Sequence, residues 1–199
     1  MPSVIGAIHR RLVFDRRTHV LASQLAEMLG SGSVLDVGCG DGTIDVLIGK
    51  ARPDLEISGV DVLVRPSAQI NVRPFDGRQL PFSDSSFDTV MFVDVLHHTD
   101  DATILLNEAR RVARKSVILK DHTMDGPLAY KTLRFMDWVG NAHHGVVLPY
   151  NYWPERRWHE AFAEVGLQLT RWEARIPLYP FPVSLIFGRR LHFIAALVP

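Results

Sequence analysis

Val34-Leu-Asp-Val-Gly-Cys-Gly-Asp-Gly-Thr43 decides how this chain of 199 residues folds. The apolar run from Val34 to Val37 predicts a buried strand, and helical spacing resumes at Thr43. Between them Gly38, Gly40 and Gly42 predict a tight turn at a helix N-terminus, where backbone amides can approach a ligand unobstructed by side chains. Turns of this kind serve many nucleotide binders. Asp36 narrows the choice, because a carboxylate two residues before the first glycine repels a pyrophosphate and suits a ligand that carries an ammonium group. The glycine spacing, G-x-G-x-G, also departs from the G-x-G-x-x-G of the dinucleotide fingerprint.

Outward from this turn, short apolar runs alternate with helical stretches, which predicts an α/β domain on a mainly parallel sheet. After a helix over 43–51, residues 55–60 predict a second strand ending at Asp61, and 68–72 a weaker third. Residues 89–93 predict a fourth, apolar enough to be buried on both faces. Residues 103–113 place Ile104, Leu105, Ala109 and Val112 at helical spacing, and 116–119 predict a fifth strand. Upstream, a first helix runs through Leu21, Leu25 and Leu29. Residues 122–158, rich in aromatics and histidines and broken by Gly and Pro, read as a lid. A helix over 158–165 stopped by Gly166 follows, then strands over 167–176 and 191–198 around a proline- and aromatic-rich insert, 177–190.

Two further acids follow strands. Asp61 is placed to accept hydrogen bonds from both hydroxyls of a ribose, and Asp76, beside Gly77, from an adenine amino group. With these residues the chain resembles the class I S-adenosylmethionine-dependent methyltransferases, and most closely their type-11 subgroup. The likeness starts in the glycine-rich turn and runs on through Gly59-Val-Asp61, Asp76-Gly-Arg-Gln-Leu-Pro-Phe82, Ser85-Ser-Phe-Asp-Thr-Val90 and Val95-Leu-His-His98. It covers roughly residues 33–120.

The resemblance implies a Rossmann-like, doubly wound, seven-stranded sheet, mostly parallel with an antiparallel last strand. It implies a single methyltransferase domain over 1–199, with a cofactor-binding core at 33–120, a lid and substrate segment at 121–160 and C-terminal strands at 167–199. S-adenosyl-L-methionine is the implied cofactor. Gly38 and Gly40 would line its methionine portion and Asp36 would hold its ammonium group. Asp61 would bind the ribose, Val62 would pack on the adenine, Asp76 and Gly77 would meet the adenine edge, and Asp94 would lie beside the methionine end. The implied reaction is in-line methyl transfer to a small molecule.

Histidine suits proton transfer near neutral pH, so His97 and His98, after the fourth strand, are the candidate catalytic residues. His122, His143 and His144 are further candidates that rank level with them or below. Asp94 and Asp121 both follow neighbouring strands and could share a divalent metal, as in catechol-type enzymes. No clear third ligand accompanies them, so metal-independent transfer is expected. Asp88 reads as structural, Asp45 as a solvated helix side chain, and Cys39 as a small tolerated residue. Tyr150, Tyr152, Trp153 and Trp158, with Tyr179, Phe181, Leu185, Ile186 and Phe187, either wall a hydrophobic acceptor pocket or pack in the core.

Lysine plus arginine balances aspartate plus glutamate at 22 each, which leaves no basic excess for wrapping nucleic acid. The Asn/Asp-Pro-Pro-Tyr motif of amino-group DNA methyltransferases is also missing after the fourth strand. Apolar residues make up 47% of the chain, yet no run reaches the roughly 18–20 residues that a membrane span needs. The single cysteine excludes an internal disulfide framework, and the N-terminus does not read as a secretory signal. These features predict a cytoplasmic protein without membrane insertion. Two rivals share the motif: a dehydrogenase using NAD, and an S-adenosylmethionine-binding module without catalysis.

Overall fold

The computed structural model describes residues 15–141 and 149–199. A seven-stranded sheet runs through the middle in the order β3-β2-β1-β4-β5-β7-β6. Its strands are β1 (Gly32–Val37), β2 (Leu55–Asp61), β3 (Val72–Pro74), β4 (Phe87–Val93), β5 (Ala113–His122), β6 (Gln168–Glu173) and β7 (His192–Val198). The first five pair in parallel, while β7 lies antiparallel between β5 and β6. The expected doubly wound sheet with its antiparallel last strand is present.

The strands bury both faces because their side chains alternate between two cores. Leu35, Val37, Val90, Phe92, Val117, Leu119, Phe193 and Ala195 point to one side. There they meet α3 (Ala102–Val112) and α5 (Glu155–Glu164). Val34, Met91, Ile118 and Ile194 point to the other, against α1 (Arg16–Met28), α2 (Thr43–Ala51) and the segment around Leu178. α3 starts on Asp101, whose side chain accepts from Thr103 N at 2.9 Å. Arg52 ties α1 to α2 by donating to the carbonyls of Ala26 and Leu29, each at 2.8 Å.

Two expectations need correction. The third strand lies at Val72–Pro74, not 68–72, because the residues before it pack on the glycine turn instead. Gln69 N donates to Asp41 O at 2.9 Å, and Ile70 fills the space where a Gly42 side chain would stand. The segment read as an irregular lid contains a 13-residue helix, α4 (Ala129–Asn141), whose Ala129 and Leu133 pack with Tyr152 and Leu191. Trp158, 1% exposed, belongs to the main core and donates from Nε1 to His122 O at 2.9 Å. Between β6 and β7 the insert forms a single turn, α6 (Ser184–Phe187). His143 and His144 lie outside the described residues. Among the described residues no helix is long and apolar enough to cross a membrane.

Candidate functional site

Strand order reverses between β1 and β4, and this switch point is where an open α/β sheet leaves a crevice beyond its strand ends. The glycine turn leaves β1 there. Gly38, Gly40 and Gly42 have φ of 78°, 61° and 75°, a region that favours glycine. A Cβ on Gly38 would stand 2.6 Å from a Val95 methyl, so the turn and the segment after β4 are packed directly together. Gly40 faces open space, with Arg65 Cζ 4.0 Å from the position of an added Cβ.

The turn's amides are directed differently from expectation. Gly38 N and Cys39 N donate to Val60 O at 2.7 and 3.3 Å, and Gly40 N donates to Asp61 Oδ2 at 2.8 Å. These amides bind the turn to β2 rather than pointing at a ligand, so the glycines contribute shape. Asp61 also accepts from Leu63 N at 2.9 Å through Oδ1. Each carboxylate oxygen has a second lone pair, so Asp61 can hold the turn and still accept from hydroxyls. Beside it Val62 is exposed, and a Gly77 Cβ would come within 3.2 Å of it. Asp76 Oδ1 accepts from Arg78 N and Gln79 N at 2.8 Å each, which fixes the loop that carries Gly77. Val62, Asp76 and Gly77 thus form one apolar wall with a polar edge.

Beneath the turn lies the largest surprise. Asp36 shares the strand face of Val34, which looks toward α2, and there it meets Asp45. Asp45 is 2% exposed, which overturns its reading as a solvated side chain. Asp36 Oδ1 and both Asp45 oxygens find no N–H or hydroxyl donor among the described residues. Burial first, then the Asp45 charge, pushes the Asp36 carboxyl well above its usual range. Burial raises Asp45 to about 6. The pair therefore holds a shared proton. Cys39 packs its Sγ where a Gly59 side chain would be, and burial raises its thiol, which disfavours the reactive thiolate. Asp88, at the far end of β4, accepts from Ser33 N at 3.0 Å and pairs with Lys115 at 3.0 Å, a structural role.

The other side of the crevice is a buried charge network. Lys120 shares the face of Ile118 and meets Asp94, which also pairs with Arg17 from α1. Asp121 shares the opposite face and accepts from Leu96 N at 3.0 Å. It also holds His97 Nδ1 at 2.7 Å. Asp137 from α4 lies 3.4 Å from His97 Nε2 and takes the Tyr152 hydroxyl. Burial alone would lower the His97 pKa, but the charges and hydrogen bonds of Asp121 and Asp137 together outweigh it and raise the value to about 10.

His97 is therefore a buried cation, 1% exposed, and not a group open to a cleft. Sequence reasoning missed Asp137, which nothing near His97 in the chain announces. His98 behaves oppositely: burial and then the neighbouring His97 charge push it down to about 4, so it is neutral at pH 7. His97, Asp121 and His122 offer ligand atoms within 4.8 Å of one another, and so do His97, His98 and Asp137. In the first set, both histidines hydrogen-bond through Nδ1 to Asp121 itself, at 2.7 and 3.3 Å.

Comparison with known proteins agrees with this architecture. The chain is 28% identical over 116 residues to a 27-O-demethylrifamycin SV methyltransferase of Amycolatopsis mediterranei, covering 50% of this chain and 42% of that protein. It is 33% identical over 94 residues to a ubiquinone/menaquinone biosynthesis C-methyltransferase of Desulfotalea psychrophila, covering 43% and 38%. The chain thus spans less than half the length of these relatives. Its fold matches a geranyl diphosphate C-methyltransferase from Streptomyces coelicolor A3(2), a structure holding Mg2+, geranyl-S-thiolodiphosphate and S-adenosyl-L-homocysteine. That match has a TM-score of 0.66 at 15% identity and covers 89% of this chain and 74% of the other. A family model described as a methyltransferase domain matches residues 9–171, and the chain belongs to that family.

Proposed function

We propose that this chain is an S-adenosylmethionine-dependent methyltransferase acting on a small hydrophobic molecule. The observation that carries the reading is the Asp36 carboxyl, 3% exposed, whose Oδ1 finds no N–H or hydroxyl donor among the described residues, at the foot of the glycine turn at the switch point. An ammonium group can take the place of the proton that Asp36 shares with Asp45. That fits the methionine end of the cofactor, and the glycine spacing disfavours NAD. The Gly40 surface leaves room for the methionine chain, Asp61 for the ribose, and Val62 with Asp76 and Gly77 for the adenine.

When bound, the cofactor supplies an electrophilic methyl carbon with a neutral sulfide as leaving group. The chain's own task is alignment and exclusion of water. Gly38 and Val95 close the wall between the turn and β4. Asp94, just beyond β4, stands at the methionine end, with its side chain fixed by Lys120 and Arg17. His98 is neutral and can accept a hydrogen bond from an acceptor hydroxyl, although so weak a base does not abstract its proton outright. His97 retains its proton and serves to position its neighbour. The relatives named for rifamycin and quinone substrates support an apolar, ring-bearing acceptor.

Calorimetric titration with S-adenosylmethionine, S-adenosylhomocysteine and NAD tests the reading. Saturable binding of the two adenosyl ligands but not NAD is expected. Asp61→Ala should weaken it by roughly ten- to a hundredfold, the range for charged hydrogen bonds. Binding of NAD alone would restore the dehydrogenase. Adenosyl binding with no methyl consumed across an acceptor panel would favour the non-catalytic module.

A further inference from the structure

Eleven large apolar side chains stand exposed among the described residues, and they gather in two places. Val62, Leu63 and Val64 form the first, beside the glycine turn. The other eight fall within residues 128–139 and 181–186. Of these, Leu128, Phe135, Trp138, Phe181, Leu185 and Ile186 are each more than half exposed. Water-soluble proteins seldom gather such residues, so a contiguous patch marks a surface that something covers.

The two segments form one face. The Phe135 ring lies 6.3 Å from both Trp138 and Phe187, and Arg189 donates to Pro127 O at 3.4 Å and Thr132 Oγ1 at 3.2 Å. Charge on this face is mostly of one sign, with the carboxylates of Asp125 and Glu155 at its edge. Lys131, Arg134 and Arg189 are exposed, whereas Asp137, the one carboxylate within 126–139 and 180–191, is buried. Arg190 pairs with Glu155 at its edge, at 3.4 Å. A second copy would bring cations against cations, so charge argues against self-association.

We propose that this face rests on the surface of an anionic phospholipid bilayer. Exposed aromatic and aliphatic side chains ringed by lysine and arginine are the composition that lies in a membrane interface without spanning it. The placement adds a reason for it. Tyr130 lies 6.1 Å from Tyr152, and Tyr152 lies 5.6 Å from His97. Tyr179 sits between Phe187 at 5.9 Å and His192 at 5.8 Å. One aromatic layer thus separates this face from the polar network at the strand ends. An apolar acceptor dissolved in the bilayer would reach the crevice from this side, a corollary that rests on the proposed function; the surface contact itself does not.

Vesicle flotation tests the contact, using phosphatidylcholine alone and phosphatidylcholine mixed with phosphatidylglycerol. The chain should float with the mixed vesicles, lose binding as salt rises, and show a blue shift of tryptophan fluorescence that Trp138→Phe removes. Lys131→Gln with Arg134→Gln should weaken binding roughly tenfold or more. Phe135→Ser with Trp138→Ser should abolish it, while circular dichroism and thermal unfolding confirm a folded chain. Failure to float with mixed vesicles overturns the proposal, and so does undiminished binding by the serine pair. A concentration-dependent dimer that the serine pair disrupts, with no flotation, assigns the face to a second copy and overturns it too. The vesicle readout needs neither cofactor nor acceptor, so it stands or falls apart from the methyltransferase reading.

Discussion

At the scale of single residues, the carboxyl of Asp36 is held in an unusual state by its burial and by Asp45. Two buried carboxylates side by side cannot both ionise cheaply, so the fold keeps a proton between them. The sign of the pH effect follows. A carboxyl whose folded pKa lies above its unfolded value stabilises the fold below the unfolded pKa and loses that contribution as pH rises through the folded one. For Asp45 the window runs from the ordinary carboxylate value to about 6, and Asp36 extends it upward. The ligand-free chain should lose thermal stability across this window. Asp45→Asn should remove the part of that loss that falls between the ordinary carboxylate value and about 6, leaving the part due to the burial of Asp36; an unchanged profile in thermal melts would count against the shared proton. An ammonium ligand replaces the proton, so S-adenosylmethionine should bind the parent more tightly as pH rises through the same range. Asp36 was legible in the sequence because its place before the glycines is local. Asp45 was not, since one polar residue in a helix looks solvated until the strand beneath it is known.

At the scale of elements, the glycine turn and the helix that follows it use glycine in opposite ways. Gly38 has φ of 78° and no room for a methyl, because the branched Val95 side chain would stand 2.6 Å away. Gly38→Ala should therefore cost about 2–4 kcal/mol, the sum of left-handed strain and overpacking. Gly49, inside α2, carries no such constraint, and a Cβ there meets nothing within 4 Å. Gly49→Ala should stabilise the chain by about 0.5–1 kcal/mol, because helix interiors favour alanine. Urea denaturation of the two variants side by side checks both signs, and a stabilising Gly38→Ala would contradict the packing described. The bounds of α2 were readable because the glycine turn before it and its helical spacing agree there. β3 was misplaced by four residues at its start because Ile70, an apolar residue that reads as strand, is used to cover Gly42 instead.

At the scale of the whole molecule, a line of ionised groups crosses the C-terminal edge of the sheet between two apolar cores. Arg17, Lys120 and protonated His97 balance Asp94, Asp121 and Asp137, and the six come from α1, the ends of β4 and β5, the turn after β4, and α4. Sequence shows each residue but not the pairing, because partners as far apart as Arg17 and Asp94 meet only after the sheet has formed. Such a network adds little net stability when complete, yet breaking it is costly because a buried charge is left alone. Lys120 is 0% exposed, and Asp94 is what opposes the lowering of its pKa by burial. Asp94→Asn should therefore destabilise the chain by about 3–5 kcal/mol near neutral pH. Asp94 itself, despite its burial, is held well below the ordinary carboxylate range by Lys120 and Arg17. A depressed carboxyl contributes above its unfolded pKa and loses that contribution as pH falls, so the gap between variant and parent should narrow in acid. Adding Lys120→Met should recover part of the loss by removing the stranded ammonium. Chemical denaturation of parent, single and double variants at neutral and acid pH measures all three effects. A gap that ignores pH and is not relieved by Lys120→Met would mean that packing, rather than interior charge, fastens α1 to the sheet.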